Sequence, residues 1–250
     1  ILAACRHAKV QRLIHLSSAV VYGRVDVPNL VDHSAPARSL WMPYARAKAT
    51  CEQWLQSHMD ALTPEIVVLR PGIVWGPRSP HTLGIAMSLL QSNAYLVHEG
   101  KGIFNSIYID NLIGCIQACI EHCSGVAGFY NVADDPGVTW RELYIALASR
   151  LDVDTACIAN VSKLPITGKI IVEYVQQLPW INEFYHRLKR NLPDGLKSAL
   201  KARLAGAYEY RRMVNEFPSK VEVGREMWHL QQVRHRLPTK KFEHVFNYTP

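Results

Sequence analysis

An α/β fold built around a parallel sheet is predicted by two features of this chain. Short apolar runs without alternation, "RLIHLSS", "EIVVLR" and "GFYNVAD", read as strands buried on both faces. Between them lie helix-length segments bounded by Pro, Gly and capping residues, and strands that alternate with helices of this length argue for βαβ units.

The elements follow in order. Residues 1–8 read as the back half of a helix and "RLIHLSS" as the first strand. The loop from Arg24 to Met42 is rich in Pro, Asp and Ser, and Pro43 stands where a first-turn proline is tolerated, so a helix is predicted from there to about Met59. "EIVVLR" (65–70) is the next buried strand, ended by Pro71-Gly72. A helix over 82–92 and a strand over 106–110 come next, with Asp110 as the expected N-cap of "NLIGCIQACIEHC". "GFYNVAD" is the last strand. Thr139 and Glu142 then fit a capping box at the head of "LYIALASRL". Strand and helix are expected to alternate throughout this part. After Asp152 the chain reads as mainly helical, broken by Pro165, Pro179 and Pro193.

With 250 residues, 48% of them apolar or aromatic, the chain can bury a proper core in one large or two small domains. It reads as a soluble globular protein, without an apolar run near the ~18 residues of a membrane span and without a signal peptide. Six cysteines lack a pairing pattern, which points to reduced thiols and a cytoplasmic location. Cys115, Cys119 and Cys123 recur every fourth residue beside His122 and could align soft metal ligands. Leu112, Ile116 and Ile120 share that segment, so buried thiols are expected there and no metal. The net charge of +7 favours an anionic partner without naming it. Fourteen of the 28 Lys and Arg residues lie between Arg187 and Lys241 against five acids, so the surplus is regional. A solvated helix surface, an anionic ligand site and a lipid-headgroup surface all remain open for it.

Tyr44 and Lys48 stand four apart on a predicted helix, so both project from one face. A cation beside a phenol favours its ionised form, which suits a general acid or base. Alone the pair is weak, because an aromatic ring packed under a lysine stem gives the same spacing. Ser18 strengthens it. In a parallel sheet the strand C-termini face the ligand crevice, so Ser18 and Tyr44 can meet one substrate oxygen.

At this point the sequence resembles the extended short-chain dehydrogenase/reductase family, the NAD-dependent epimerase/dehydratase group. "LSSAVVYG", "PYARAK", "LRPGIVWGPR", "NSIYIDNL" and "FYNVADDPGVTWRELYIALA" occur in family order, and "LPTKKFEHVFNYTP" is similar to a late family segment. The resemblance implies the C-terminal half of a Rossmann-type doubly wound parallel sheet plus a mainly helical substrate lobe. It divides the chain into a partial dinucleotide-binding core, residues 1–74 and 103–125, and a substrate-binding lobe, residues 75–102 and 126–250. It implies Ser18, Tyr44 and Lys48 as the catalytic set. Ser17, Tyr44, Lys48, Pro71, Gly72 and Ile73 are implied at the cofactor, NAD or NADP, and Ser18, Arg78 and Asn105 at the substrate.

Departures from the family pattern matter as much. No G-x-G-x-x-G precedes a strand, so the phosphate-cradling turn and the ribose-binding acid are expected upstream of Ile1, and these residues alone are expected to be inactive. Ala19 and Val20 stand where the family's sugar-nucleotide dehydratases carry Asp-Glu, which argues against elimination chemistry. Phe104-Asn105-Ser106 replaces the arginine that holds the diphosphate in many nucleotide-sugar epimerases. The implied function is hydride transfer at a secondary alcohol, of a nucleotide sugar first, or of a steroid-like hydrophobic alcohol if the aromatic segment around Tyr174, Trp180 and Phe184 shapes the site. A non-catalytic dinucleotide-binding scaffold is the alternative outside enzyme chemistry. The partners expected are a small anionic substrate, a second copy in a homodimer, and peripheral contact with a membrane surface; nucleic acid is not among them.

Overall fold

The computed structural model describes residues 1–164 and 221–250, apart from 24–25, 28–29, 33, 38–39, 41, 60–63, 135–136 and 222. Its helices are α1 (Leu2–His7), α2 (Pro43–Gln56), α3 (Pro80–Leu90), α4 (Ile109–Glu121), α5 (Trp140–Arg150), α6 (Arg225–Leu230) and α7 (Lys240–Phe246). The strands are β1 (Arg12–Leu16), β2 (Glu65–Pro71), β3 (Ile73–Trp75), β4 (Tyr95–Val97), β5 (Ile103–Phe104), β6 (Ser106–Tyr108), β7 (Gly128–Val132), β8 (Val138–Thr139) and β9 (Ala159–Val161). No helix among the described residues is long and apolar enough to cross a membrane.

The expected parallel sheet is present, in the order β1-β2-β7. Ile14 pairs with Val67, and Val67 in turn with Gly128, so the central strand β2 is hydrogen-bonded on both edges. Parallel neighbours need a crossover between them. α2 makes the first, and α3, α4 and the four short strands β3, β4, β5 and β6 fill the second. Side chains alternate along β2. Val67 and Leu69 join Tyr130, Val132, Cys115, Cys119, Phe242 and Phe246 on one face, while Ile66 and Val68 join Phe129, Leu2 and Leu55 on the other.

Local signals were met at several ends. Pro43 is the first residue of α2, and Thr139 and Glu142 exchange bonds in a full capping box at the head of α5. Three expectations need correction. α4 starts at Ile109 with Tyr108 as its N-cap, so Asp110 lies inside the first turn, where its charge meets the positive end of the helix dipole. Strand and helix do not alternate throughout, because the chain passes Pro71-Gly72 directly into β3, which pairs with β6, and adds β4 and β5 before it. The boundary at residue 126 also fails: Gly128–Val132 is the third strand of the main sheet, with α7 packed on it through Phe242 and Phe246. Cys115 and Cys119 are wholly buried in that core, where desolvation pushes both thiols up to about 12. The mainly helical segment around Pro165, Pro179 and Pro193, with Tyr174, Trp180, Phe184, Arg187, Lys189 and Arg190, lies outside the described residues.

Candidate active site

The site forms where the parallel strands end. Ser17 N–H donates to the Leu69 carbonyl at 2.7 Å, carrying the pairing of β1 and β2 one residue further. Ser18 is extended and caps a 3₁₀ turn over Ala19–Tyr22, its Oγ accepting from Val20 N–H at 3.4 Å. Gly23 closes that turn at φ +59°, where a Cβ would run into the Leu40 side chain. α2 starts beyond the loop and presents Tyr44 and Lys48 on its first two turns. Lys48 Nζ donates to the Leu16 carbonyl at 2.6 Å and lies 5.6 Å from the Tyr44 ring centroid. The ammonium therefore bolts the start of α2 to the end of β1. The Tyr44 ring stays half exposed.

The floor is the β2–β3 junction. Gly72 N–H donates to Val132 O at 3.0 Å and Ile73 N–H to Asn105 O at 2.8 Å. A Cβ at Gly72 would lie 2.6 Å from that Asn105 oxygen, so only glycine permits the approach. Above this floor is a cavity of about 450 Å³, bordered by Ser17, Ser18, Tyr22, Tyr44, Pro71, Gly72, Ile73 and Asn105. Its far wall comes from the C-terminal region, with Glu226, His229, Leu230, Val233, His235 and Leu237.

The structure thus brings together Ser17, Ser18, Tyr44, Pro71, Gly72, Ile73 and Asn105. Lys48 stands behind Tyr44 rather than in the cavity wall. Arg78 is exposed at φ +66° in the turn before α3 and does not border the cavity. Asn105 borders it with a committed amide: Nδ2 donates to the His235 carbonyl at 3.0 Å, and Oδ1 accepts from Leu237 N–H at 2.9 Å.

A buried polar network below the site was not anticipated. Arg70 and Glu52 are 2% and 1% exposed and form a two-pronged ion pair, with Nη2 to Oε2 at 2.6 Å. Arg70 Nη1 also donates to Tyr22 Oη at 2.9 Å and to the carbonyls of Asp32 and Ser34. Tyr22 Oη donates in turn to Asn131 Oδ1 at 2.7 Å, and Asp32 accepts from Asn131 N–H at 2.6 Å. Burial opposes the Arg70 charge, but Glu52 and Tyr22 outweigh it and raise its pKa. Burial likewise pushes the Tyr22 phenol and the Asp32 carboxyl up. The network links β2, α2, β7, the 3₁₀ turn and the long loop. An arginine closing the apolar run "EIVVLR" was the one signal for it, since a buried guanidinium needs an acid.

The family model described as "NAD dependent epimerase/dehydratase family" matches residues 1–133, more than half of the chain. The chain belongs to this family. Its expected place among the extended short-chain dehydrogenases/reductases and its Rossmann-type α/β class hold with that membership. Among curated members, a 2-alkyl-3-oxoalkanoate reductase of Shewanella oneidensis is 27% identical over 159 residues, covering 57% of this chain and 40% of the relative. A UDP-glucose 4-epimerase of Vibrio cholerae is 29% identical over 154 residues, 58% of this chain and 45% of the relative. The chain therefore spans less than half the length of these relatives. A solved UDP-glucuronic acid 4-epimerase from Bacillus cereus, in complex with UDP-glucuronic acid and NAD, aligns with a TM-score of 0.56 at 22% identity, over 66% of this chain and 52% of that one. At that identity the likeness speaks to the fold alone.

Proposed function

We propose that this chain provides the proton-exchanging site of an NAD-dependent oxidoreductase or epimerase that moves a hydride at a secondary alcohol carbon of a nucleotide sugar. The observation that carries the reading is the meeting of Ser18 and Tyr44 at one cavity, with Lys48 fixed behind Tyr44 by the Leu16 carbonyl. Nicotinamide fits the residues present: Pro71, Gly72 and Ile73 offer an apolar, backbone-lined floor, and Ser17 Oγ is buried without a hydrogen-bond partner beside it. Bound NAD would supply the hydride acceptor.

The chain's own residues handle the oxygen. Tyr44 takes the substrate hydroxyl proton and returns it on reduction. The Lys48 ammonium, held by the Leu16 carbonyl, fixes the start of α2 and with it the place of the Tyr44 ring. Ser18 accepts from Val20 N–H, so its own O–H is left to orient the reacting oxygen. Ala19 and Val20 supply no acid or base for elimination, which favours epimerisation or simple oxidation over dehydration.

A hydrophobic alcohol is the second reading. Among the described residues no Lys or Arg borders the cavity, so nothing there pairs with a diphosphate. The reductase from Shewanella oneidensis, by its name, acts on an alkyl-bearing oxoacid.

Tyr44→Phe in the protein expressed from its natural gene tests the proposal. The ring keeps its packing, so circular dichroism should be unchanged, while single-turnover hydride transfer, read by nicotinamide absorbance, should slow by at least ~10²-fold. A folded variant with near wild-type rates overturns the assignment.

A further inference from the structure

α3 is a surface helix with two apolar faces. Ile85 and Leu89 turn inward and cluster with Phe104, Trp140 and Tyr144. Leu83, Met87 and Leu90, spaced i, i+4, i+7, form a stripe on the opposite side, where they are 54%, 51% and 55% exposed. A Cβ at Gly84 beside them would meet nothing within 4 Å. A surface helix ordinarily puts charged residues on its outer face. This one has none, for no Asp, Glu, Lys or Arg occurs in Pro80–Leu90. Single exposed apolar side chains are common, but three in line opposite a core face make a continuous strip.

The charge of this stretch has one sign. No Asp or Glu stands between Glu65 and Glu99. Of its two arginines, Arg70 is buried against Glu52, while Arg78 is exposed two residues ahead of α3. An apolar strip with a cation at its end and no acid in its own segment matches an anionic bilayer, whose phosphates overlie acyl chains. A second copy of the chain fits less well. The strip measures about 16 Å by 10 Å, far short of the roughly 800 Å² that each partner gives to a stable interface. A bilayer sets no such minimum, because lipid closes around whatever enters it.

We infer that α3 is a membrane-docking helix, which lies flat on an anionic bilayer with Leu83, Met87 and Leu90 at the upper ends of the acyl chains and Arg78 among the lipid phosphates. At 11 residues α3 is too short to span a bilayer, which takes about 20 residues. It rests on the surface. His81, in its first turn, borders the cavity, so docking sets one edge of the site beside the lipid.

The test is cosedimentation of the protein from its natural gene with vesicles of phosphatidylcholine, alone or mixed with phosphatidylglycerol. Binding should be stronger to the mixed vesicles. Leu83→Gln/Met87→Gln/Leu90→Gln should weaken it by at least ~10-fold. Its circular dichroism and melting temperature should be those of wild type, because exposed positions tolerate such changes. Arg78→Gln should weaken binding to the mixed vesicles by about fivefold and leave binding to phosphatidylcholine unchanged. Met87→Trp should add tryptophan emission that lipids brominated on their acyl chains quench, a single exposed change that keeps the test open if the triple variant yields too little protein. Absence of vesicle binding by wild type, equal binding by the triple variant, or no added quenching in Met87→Trp overturns the proposal. A lower melting temperature of the triple variant without vesicles also overturns it, since other parts of the protein would then cover the stripe. So does a wild-type dimer that the triple variant dissociates in light scattering, since a second copy would then be the occupant.

Discussion

The two faces of the β1-β2-β7 sheet are cut from the same strands and filled by opposite means. Against one face Val67, Leu69, Tyr130 and Val132 meet the thiols of Cys115 and Cys119 and the stacked rings of Phe242 and Phe246, 4.6 Å apart. Against the other, Ile66 and Val68 give way at the strand ends to Arg70 and Asn131, which hold Glu52, Tyr22 and Asp32. Apolar contact is tolerant of small slips, whereas a network of short, directed bonds fixes positions. The directed face is the one that carries α2 and the Ser18 turn. One side of the sheet is held by apolar packing alone, and the other adds the directed bonds that set the site geometry.

Arg70→Met should break the contrast most severely. It leaves the Glu52 carboxylate buried and unpaired, at a cost of about 3–5 kcal/mol in urea unfolding. Combining it with Glu52→Leu should restore much of the stability but not the turnover, because Tyr22 and the loop carbonyls of Asp32 and Ser34 still lose their donor. If the double variant recovers wild-type kcat, the positioning role of the polar face is refuted.

Leu69→Ala on the apolar face should cost about 3 kcal/mol, since the side chain is fully buried and leaves a cavity. Below its melting temperature the variant should turn over normally. A fall in kcat as large as that of Arg70→Met would mean the faces are not separable.

The faces should also respond to opposite ends of the pH scale. Desolvation raises Cys115 and Cys119 from 9.0 to about 12 in the fold, so their contribution is whole below pH 9. Above it the unfolded chain ionises first, and stability is lost as pH rises toward 12. Urea midpoints should drop on that limb and drop less in Cys115→Ala/Cys119→Ala. On the polar face His15 is held below its ordinary value by burial and then by Lys48. Unfolded His15 therefore takes up its proton first, and stability should decline modestly as pH falls below about 6.5, less so in His15→Asn. Asp32, raised by burial, works in the opposite sense at lower pH, since its folded form protonates first. The same midpoints between pH 7 and 5.5 in wild type and His15→Asn would show that this residue contributes nothing to the difference.

What could be read from the sequence follows the range of each signal. β1, β2, α2 and the Thr139 capping box rest on residues within a turn of one another, and they stand where expected. Among the site residues, Ser18 and Tyr44 were legible because a strand end and a helix start bring them into one crevice. The two-residue strands β5 and β8 leave no periodicity to detect and exist through each other. Arg70 was visible as a charge ending an apolar run, but its acid lies 18 residues earlier on a helix. Asn105 was expected to touch substrate, yet its amide is taken by residues 130 and 132 positions away, a pairing invisible to local reading.

The sheet order has a consequence for how the site comes into being. β2 meets β1 across 53 residues and β7 across 61, both through crossovers rather than hairpins. Contacts so distant in sequence form slowly, because the chain must close long loops before any bond rewards it. Until β1 and β2 pair, Ser17 has no Leu69 carbonyl to bond, and until β7 docks, Gly72 has no Val132. The crevice is therefore absent from any partly folded form of the chain. Ligand binding reports closure of the whole three-stranded sheet, and a probe of site occupancy during refolding should rise with the slowest phase.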